Sequence, residues 1–344
     1  MKRIVISLSI ILVVVLASLG IGALQVQRFM VTELSVPENG IGFEIASGSS
    51  FSSVTRQLVE NEVIENDRLL RLYARWSGAA GAIQAGEYLI RPGATPKSLL
   101  QQFTSGAVRL YSFTIIEGWN SRDLLTALHA TDAVSASMTD EDWPGLLSDL
   151  GASAVHPEGL FLPETYRFPR NTTDRELLMQ AYGLMQTVLA DEWRERDEAA
   201  PVTTPYEALI LASIIEKETA RVDERKRIAG VFARRLEKRM RLQTDPTVIY
   251  GLGPQFNGNL TRRDLRTDTP YNTYTRSGLP PTPIAMPGRA AINAALNPAP
   301  GKELYFVATG LGDGSHSFST TKAEHDAAVA TYLRRLRQQR KQGR

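Results

Sequence analysis

The hydrophobic pattern opens with a run that has no polar face. From Ile4 to Leu24, 21 residues pass without a charge, interrupted only by serines and glycines. At about 1.5 Å per residue, a helix of that length spans ~30 Å, the thickness of a bilayer core. The pattern predicts a transmembrane anchor within residues 1–25. Lys2 and Arg3 precede it, and the positive-inside rule puts them in the cytoplasm with the body outside. The alternative is a cleavable signal peptide. Against it, the run is longer than an ordinary signal core and ends in no clear A-x-A site. No comparable run occurs later, so the expectation is a single-pass protein with a soluble body.

Beyond the anchor, Pro37, Asn39 and Gly40 mark residues 26–40 as a linker. Phe43-Glu44-Ile45 then alternates as a strand does. Ser50, Ser52 and Ser53 offer caps for a helix through Val54 and Leu58. A second helix carries Leu69, Leu70, Leu72, Tyr73 and Trp76, and Gly86–Ile90 reads as a strand closed by Arg91-Pro92-Gly93. Thr95–Phe103 reads as a further helix. Residues 41–107 thus form a small strand–helix–helix–strand module.

Residues 108–344 carry a different texture. Tyr111–Ile116 predicts a strand, Ser121–His129 a helix, and the polar stretch Thr131–Ser153 a variable surface segment. Helices are expected at about 174–193, 205–220 and 222–240. Residues 245–300 are rich in Gly, Pro, Asn and Thr and show little periodicity, which in a compact domain points to a functional loop region or to disorder. Leu304–Ala308 and His316–Ser319 predict a hairpin. A last helix from about Lys322 ends in a tail with six Lys/Arg between Arg334 and Arg344. That tail reads as a solvated helix end, with contact to anionic lipid or wall polymer as the alternative. The fold class is α+β.

Composition removes several kinds of chemistry. Of 344 residues none is cysteine, which excludes a disulfide scaffold, a thiol nucleophile and an acylated lipoprotein anchor. A net charge of +2 argues against wholesale nucleic-acid binding. The four histidines lack metal-ligand spacing, no phosphate loop or nucleophile elbow is present, and no cofactor is expected. His316 is a strand-end histidine, with a structural role more usual than a site role.

One acidic residue stands out. In Leu211–Thr219, helical spacing aligns Glu218 with Leu211, Ile214, Ile215 and, one turn on, Val222. A carboxyl in an apolar stripe is desolvated and its pKa raised, as a general acid near neutrality requires. The alternatives are a buried glutamate paired with an arginine such as Arg225, or a helix-end glutamate in solvent. Glu216 projects with Leu209, Ala212 and Ser213. Two polar runs follow. Arg241–Gly251 holds Gln243, Asp245, Thr247 and Tyr250, donors and acceptors suited to sugar hydroxyls and N-acetyl groups; Asp245 followed by Pro246 is also a standard helix start. Tyr271–Thr275 places Asn272 between Tyr271 and Tyr274, either a sugar-stacking wall or a turn braced by aromatics.

Together, Glu158-Gly159 through Tyr166, Ala212–Thr219, Arg241–Gly251, Tyr271–Thr275 and Gly278-Leu279-Pro280-Pro281 resemble the YceG/MltG family of endolytic murein transglycosylases. The resemblance covers most of residues 155–330 and extends more weakly over the module, which looks LysM-like, and the anchor. It implies a YceG-like catalytic domain whose second glutamate of Glu-Lys-Glu, here Glu218, is catalytic. It also implies non-hydrolytic cleavage of the MurNAc–GlcNAc β-1,4 bond of nascent glycan strands to 1,6-anhydroMurNAc ends. Gln243, Asp245, Thr247, Tyr250, Asn272 and Tyr274 become the expected substrate-binding residues. The implied partners are peptidoglycan strands and peptidoglycan synthases, with the chain in the inner membrane and its body periplasmic. A two-carboxylate muramidase and a non-catalytic wall-binding scaffold are the competing readings.

Overall fold

The computed structural model describes residues 2–342; Met1, Gly343 and Arg344, the last of the basic tail, lie outside them. The chain divides into two compact units, one running up to Tyr111 with Arg167–Asn171 added, the other holding the remainder.

The first unit begins with helix α1 (Lys2–Val31), of which Ile6–Val31 is apolar enough and long enough to cross a membrane. The helix runs past Gln25, where a linker was expected, because its last turns have a partner. Met30 is buried, and Val26 and Phe29 pack on the core of the unit. Strand β1 (Ile41–Ile45) follows, then α2 (Phe51–Glu60), α3 (Asp67–Trp76), β2 (Gly86–Ile90) and α4 (Pro96–Ser105). β1 and β2 pair antiparallel, Phe43 opposite Tyr88 and Ile41 opposite Ile90. Their inward side chains meet α4 at Phe103, whose ring stands 5.7 Å from Phe43 and 4.8 Å from Tyr88. The serine cap expected for α2 is present, and Thr95, expected inside its helix, caps α4. Ser50 and Thr95 accept from the third helical N–H of α2 and α4, and α4 stops at Gly106 with φ of 69°.

Residues beyond the expected module complete this unit. Glu87 accepts from the Arg109 and Arg170 guanidinium groups at 3.0 and 2.8 Å and from the Tyr111 hydroxyl at 2.6 Å. The chain passes from one unit to the other within strand β3 (Leu110–Thr114) and again within β5 (Thr165–Pro169).

In the second unit, α5 (Ser121–His129) and the short strand β4 (Val134–Ser135) precede α6 (Trp143–Asp149). The stretch 131–153 is therefore not a plain surface segment. Met138, Trp143, Leu146 and Leu147 are buried, and the buried Asp174 carboxylate accepts from the Ser137 and Met138 N–H groups at 2.6 and 2.7 Å. Strand β6 (Thr172–Thr173) pairs parallel with β4 and leads into α7 (Asp174–Arg194). Helix α8 (Pro205–Glu218) lies at the centre, with every residue from Ala208 to Ile215 buried. Around it come α9 (Val222–Glu237), α10 (Asp245–Leu252) and α11 (Arg289–Leu296). Residues 245–300 are thus ordered around two short helices, with Ile284, Ala285 and Met286 in the core. Strands β7 (Tyr305–Ala308) and β8 (His316–Ser319) form the expected hairpin, and α12 (Lys322–Gln342) closes the unit.

Candidate active site

Helix α8 ends at Glu218. Thr219, its C-cap, turns extended at φ −148° and ψ 133° and is itself buried, and the Arg221 N–H binds the Thr219 hydroxyl at 2.9 Å. Val222 therefore starts a new helix and is exposed, so it does not extend the stripe expected on Glu218's face. The apolar neighbours one turn back, Leu211, Ile214 and Ile215, are fully buried.

The Glu218 carboxyl accepts from the Thr244 hydroxyl. Thr244 is the N-cap of α10, yet its side chain caps nothing in its own helix, which leaves the hydroxyl for Glu218. The helix starts at Asp245 itself, so the capping position falls on Thr244, one residue before the Asp245 expected to fill it. Burial pushes the Glu218 pKa up to about 7, the Thr244 hydrogen bond opposes this, the nearby Asp245 charge adds to it, and Arg235 opposes it. The C-terminal end of α8 carries partial negative charge and also favours the neutral acid. Among the described residues no cation stands within ion-pair distance of Glu218. The arginine partner considered for it belongs to Glu216. Arg225, buried, binds the Glu216 carboxylate at 2.9 Å and Glu117 at 3.3 Å.

A lattice of threonines fixes Thr244. Its N–H donates to the Thr273 hydroxyl at 3.0 Å, the Thr247 hydroxyl donates to its carbonyl at 2.8 Å, and the Thr247 and Thr273 hydroxyls lie 2.9 Å apart. Arg235 secures the turn ahead of them, donating to the carbonyls of Leu242 at 2.8 Å and Leu304 at 2.6 Å.

The expected substrate-binding residues divide into two groups. Thr247 and Asn272 are wholly buried and face the protein. Asn272 donates to the Thr267 carbonyl at 2.7 Å and accepts from the Tyr274 N–H at 2.8 Å, which makes Tyr271–Thr275 a braced turn. Gln243 and Asp245 are exposed. Gln243 takes a left-handed φ of 51°, and the Tyr274 hydroxyl donates to Asp245 at 2.5 Å. Burial and the Asp245 charge hold the Tyr274 hydroxyl in its protonated form.

Beside this turn opens a cavity of about 840 Å³. One wall is the face of α10 bearing Pro246, Ile249 and Tyr250; others carry Trp143, Phe256 and Lys217. Its floor includes a second acid that the sequence reading did not single out. Glu158 is buried, accepts from the Ser121 N–H and hydroxyl at 3.1 and 2.9 Å, and from Tyr250 at 3.2 Å. Burial raises its pKa, against the Ser121 hydrogen bonds. The next residue, Gly159, has φ of 77°, and a Cβ there would stand 2.6 Å from Pro283. Glycine is required at that approach.

On the other side of α8, the Ser213 hydroxyl accepts from the Ile284 N–H at 3.0 Å and Glu216 from the Gly288 N–H at 3.0 Å. These contacts tie the 284–288 segment to the helix that ends in Glu218. His316 is bound through Nδ1 to Glu224 at 2.7 Å, a structural pairing. No acid or histidine cluster among the described residues could hold a metal ion.

Sequence and structure comparisons bear on this geometry. The model of the YceG-like family matches residues 43–331. The chain is 32% identical over 310 residues to an endolytic murein transglycosylase of Bacillus subtilis (strain 168), covering 85% of either chain. It is 27% identical over 322 residues to an endolytic murein transglycosylase of Streptococcus pneumoniae serotype 2, covering 84% of this chain and 58% of that one. A crystal structure of a YceG-like protein from Listeria monocytogenes aligns with a TM-score of 0.51 and 29% identity, covering 85% of this chain and 99% of that one.

Proposed function

The chain belongs to the YceG-like family, and we propose that it is an endolytic lytic transglycosylase of peptidoglycan in which Glu218 serves as acid and then base. The observation that carries the residue assignment is the desolvated Glu218 carboxyl, protonated up to about pH 7 and held by the Thr244 hydroxyl. In the ground state Glu218 carries the proton and gives it to the glycosidic oxygen as the bond to MurNAc C1 breaks. The carboxylate then takes a proton from the 6-hydroxyl of the same MurNAc, whose oxygen closes onto C1. The products are a 1,6-anhydroMurNAc end and a GlcNAc 4-hydroxyl, with no water consumed and the acid regenerated.

A hydrolase of the usual kind needs a second carboxylate about 5–9.5 Å away, as nucleophile or base. Glu216 is unsuited, because Arg225 and the Gly288 N–H already occupy it. Asp245 is nearby and exposed, and a hydrolytic route would run through it. With an internal nucleophile one acid suffices. In this reading Asp245, Gln243, Tyr274 and Tyr250 line the sugar path, while Thr247 and Asn272 hold the wall behind them. The cavity beside α10 takes the flanking saccharides.

The finer parts of the reading follow from the same resemblance. The first unit, with its strand–helix–helix–strand order, acts as a LysM-like glycan-binding module. α1 anchors the chain in the inner membrane with its N-terminus cytoplasmic and its body periplasmic. Peptidoglycan synthases working on nascent strands are its partners.

Digestion of purified glycan strands, followed by mass spectrometry of the new ends, tests the chemistry. Anhydro ends from the native chain and none from Glu218→Gln are expected. Reducing ends would overturn the transglycosylase route in favour of hydrolysis, and undiminished cleavage by Glu218→Gln would remove Glu218 from it.

A further inference from the structure

The apolar stretch of α1, Ile6–Val31, is 26 residues long. At 1.5 Å per residue it measures about 39 Å, against roughly 30 Å of bilayer core. About six residues are surplus. The turns that leave the core at the outer end, Val26 to Val31, are the ones whose side chains pack on the first unit. α3 packs directly against α1, so a spanning α1 places it at the depth of the outer headgroups.

The outward face of α3 has the composition of an interfacial helix. Arg68, Leu72, Arg75 and Trp76 recur at intervals of four, three and one, which places them on one side. All four are exposed, Trp76 at 82% and Leu72 at 59%. Among the described residues of this unit outside α1, Trp76 is the most exposed large apolar side chain. The opposite face, Leu70 and Ala74, is buried in the core. Neither Arg68 nor Arg75 has an acidic partner among the described residues, whereas Arg71 on the flank is paired with Asp67 at 3.1 Å. Arg28, exposed on the emerging turns of α1, adds a third cation. Tryptophan and arginine on an amphipathic helix beside a membrane span partition to the headgroup level, the ring among glycerol groups and the cations on phosphates.

We propose that this face of α3 seats on the outer leaflet, with Trp76 and Leu72 in the interface and Arg68 and Arg75 on anionic lipid phosphates. The seat rests on α1 being a retained anchor. It holds the first unit against the membrane by two attachments, one spanning and one lying on the surface.

The test uses the full chain in vesicles of phosphatidylethanolamine and phosphatidylglycerol, with part of the lipid brominated on the acyl chain close to the headgroup. Trp76 emission is isolated by subtracting the spectrum of Trp76→Phe, a change at an exposed position. Expected are co-flotation of the chain with the vesicles and loss of most of the Trp76 emission to the brominated lipid. A floating chain whose Trp76 emission is undiminished overturns the seat and leaves the anchor standing. A chain that does not float overturns the anchor and the seat together.

Discussion

The proposed role of Glu218 requires a carboxyl that keeps its proton close to neutral pH. Its pKa moves from 4.5 to about 7, chiefly through burial. Transglycosylation needs the protonated acid in the free enzyme, so kcat/KM should fall as pH rises through about 7. Stability follows the same group. Below pH 4.5 the carboxyl is protonated in folded and unfolded chains alike; above it the unfolded chain ionises first, so the contribution is lost as pH climbs to the folded value. The loss is on the order of 3 kcal/mol at about 1.4 kcal/mol per unit. Glu218→Gln removes it, and denaturant unfolding should find that variant more stable than the native chain at alkaline pH but not in acid. Thr244→Val deletes the one hydrogen bond that lowers the Glu218 pKa. The alkaline limb of the pH–rate profile should move upward while kcat drops about tenfold, a cost of roughly 1.4 kcal/mol in orientation. An unmoved limb would mean that Thr244 does not act on Glu218. At this scale the sequence marked Glu218 as a desolvated carboxyl but did not show its partners. Helical spacing placed Glu218 against Leu211 and Ile215, whereas Thr244 comes from another helix. Thr247 and Asn272 drew notice as polar residues in a polar run, and periodicity does not reveal that both point inward.

The last turn of α8 carries two acids, Glu216 and Glu218, in separate surroundings. Glu216 joins α8 to α9 through Arg225 and to the 284–288 segment through the Gly288 N–H. Glu216→Ala leaves a buried guanidinium with only Glu117, and calorimetry should show a loss of about 3 kcal/mol, the lower end for a broken buried pair. The cleavage pattern that remains should still give anhydro ends. Gly159→Ala forces a side chain into a left-handed backbone and onto Pro283, so a loss of about 2–4 kcal/mol is expected by denaturant unfolding. Where an element carried its own signal, the sequence displayed it, as in α7, α8 and α9 by apolar spacing and in α2 by its serine cap. Residues 131–153 and, past the helix start at Asp245-Pro246, 245–300 carried little. Their order comes from distant groups, the Asp174 carboxylate for one and the Ser213 hydroxyl for the other, and a local window holds no trace of those.

The two units make different demands on the chain. α1 is long and apolar enough to cross a membrane and also packs, so its last turns belong to the fold of the first unit. A chain beginning at Gln25 should keep that unit's thermal stability. One beginning at Thr32 loses Val26, Phe29 and Met30 from the core and should lose about 2–5 kcal/mol by calorimetry. The linker expected at 26–40 hid this, because a breaker-rich stretch at Pro37 to Gly40 says nothing about where the preceding helix stops. The second unit organises its core around one helix and ends that helix at Glu218. The proposed chemistry depends on a single neutral carboxyl, which infrared spectroscopy can observe. In the difference spectrum between the native chain and Glu218→Gln, a protonated carboxyl band should be present at about pH 6 and fade as the pH passes about 7. A band absent at that pH, with ionisation complete near 4.5, would contradict it.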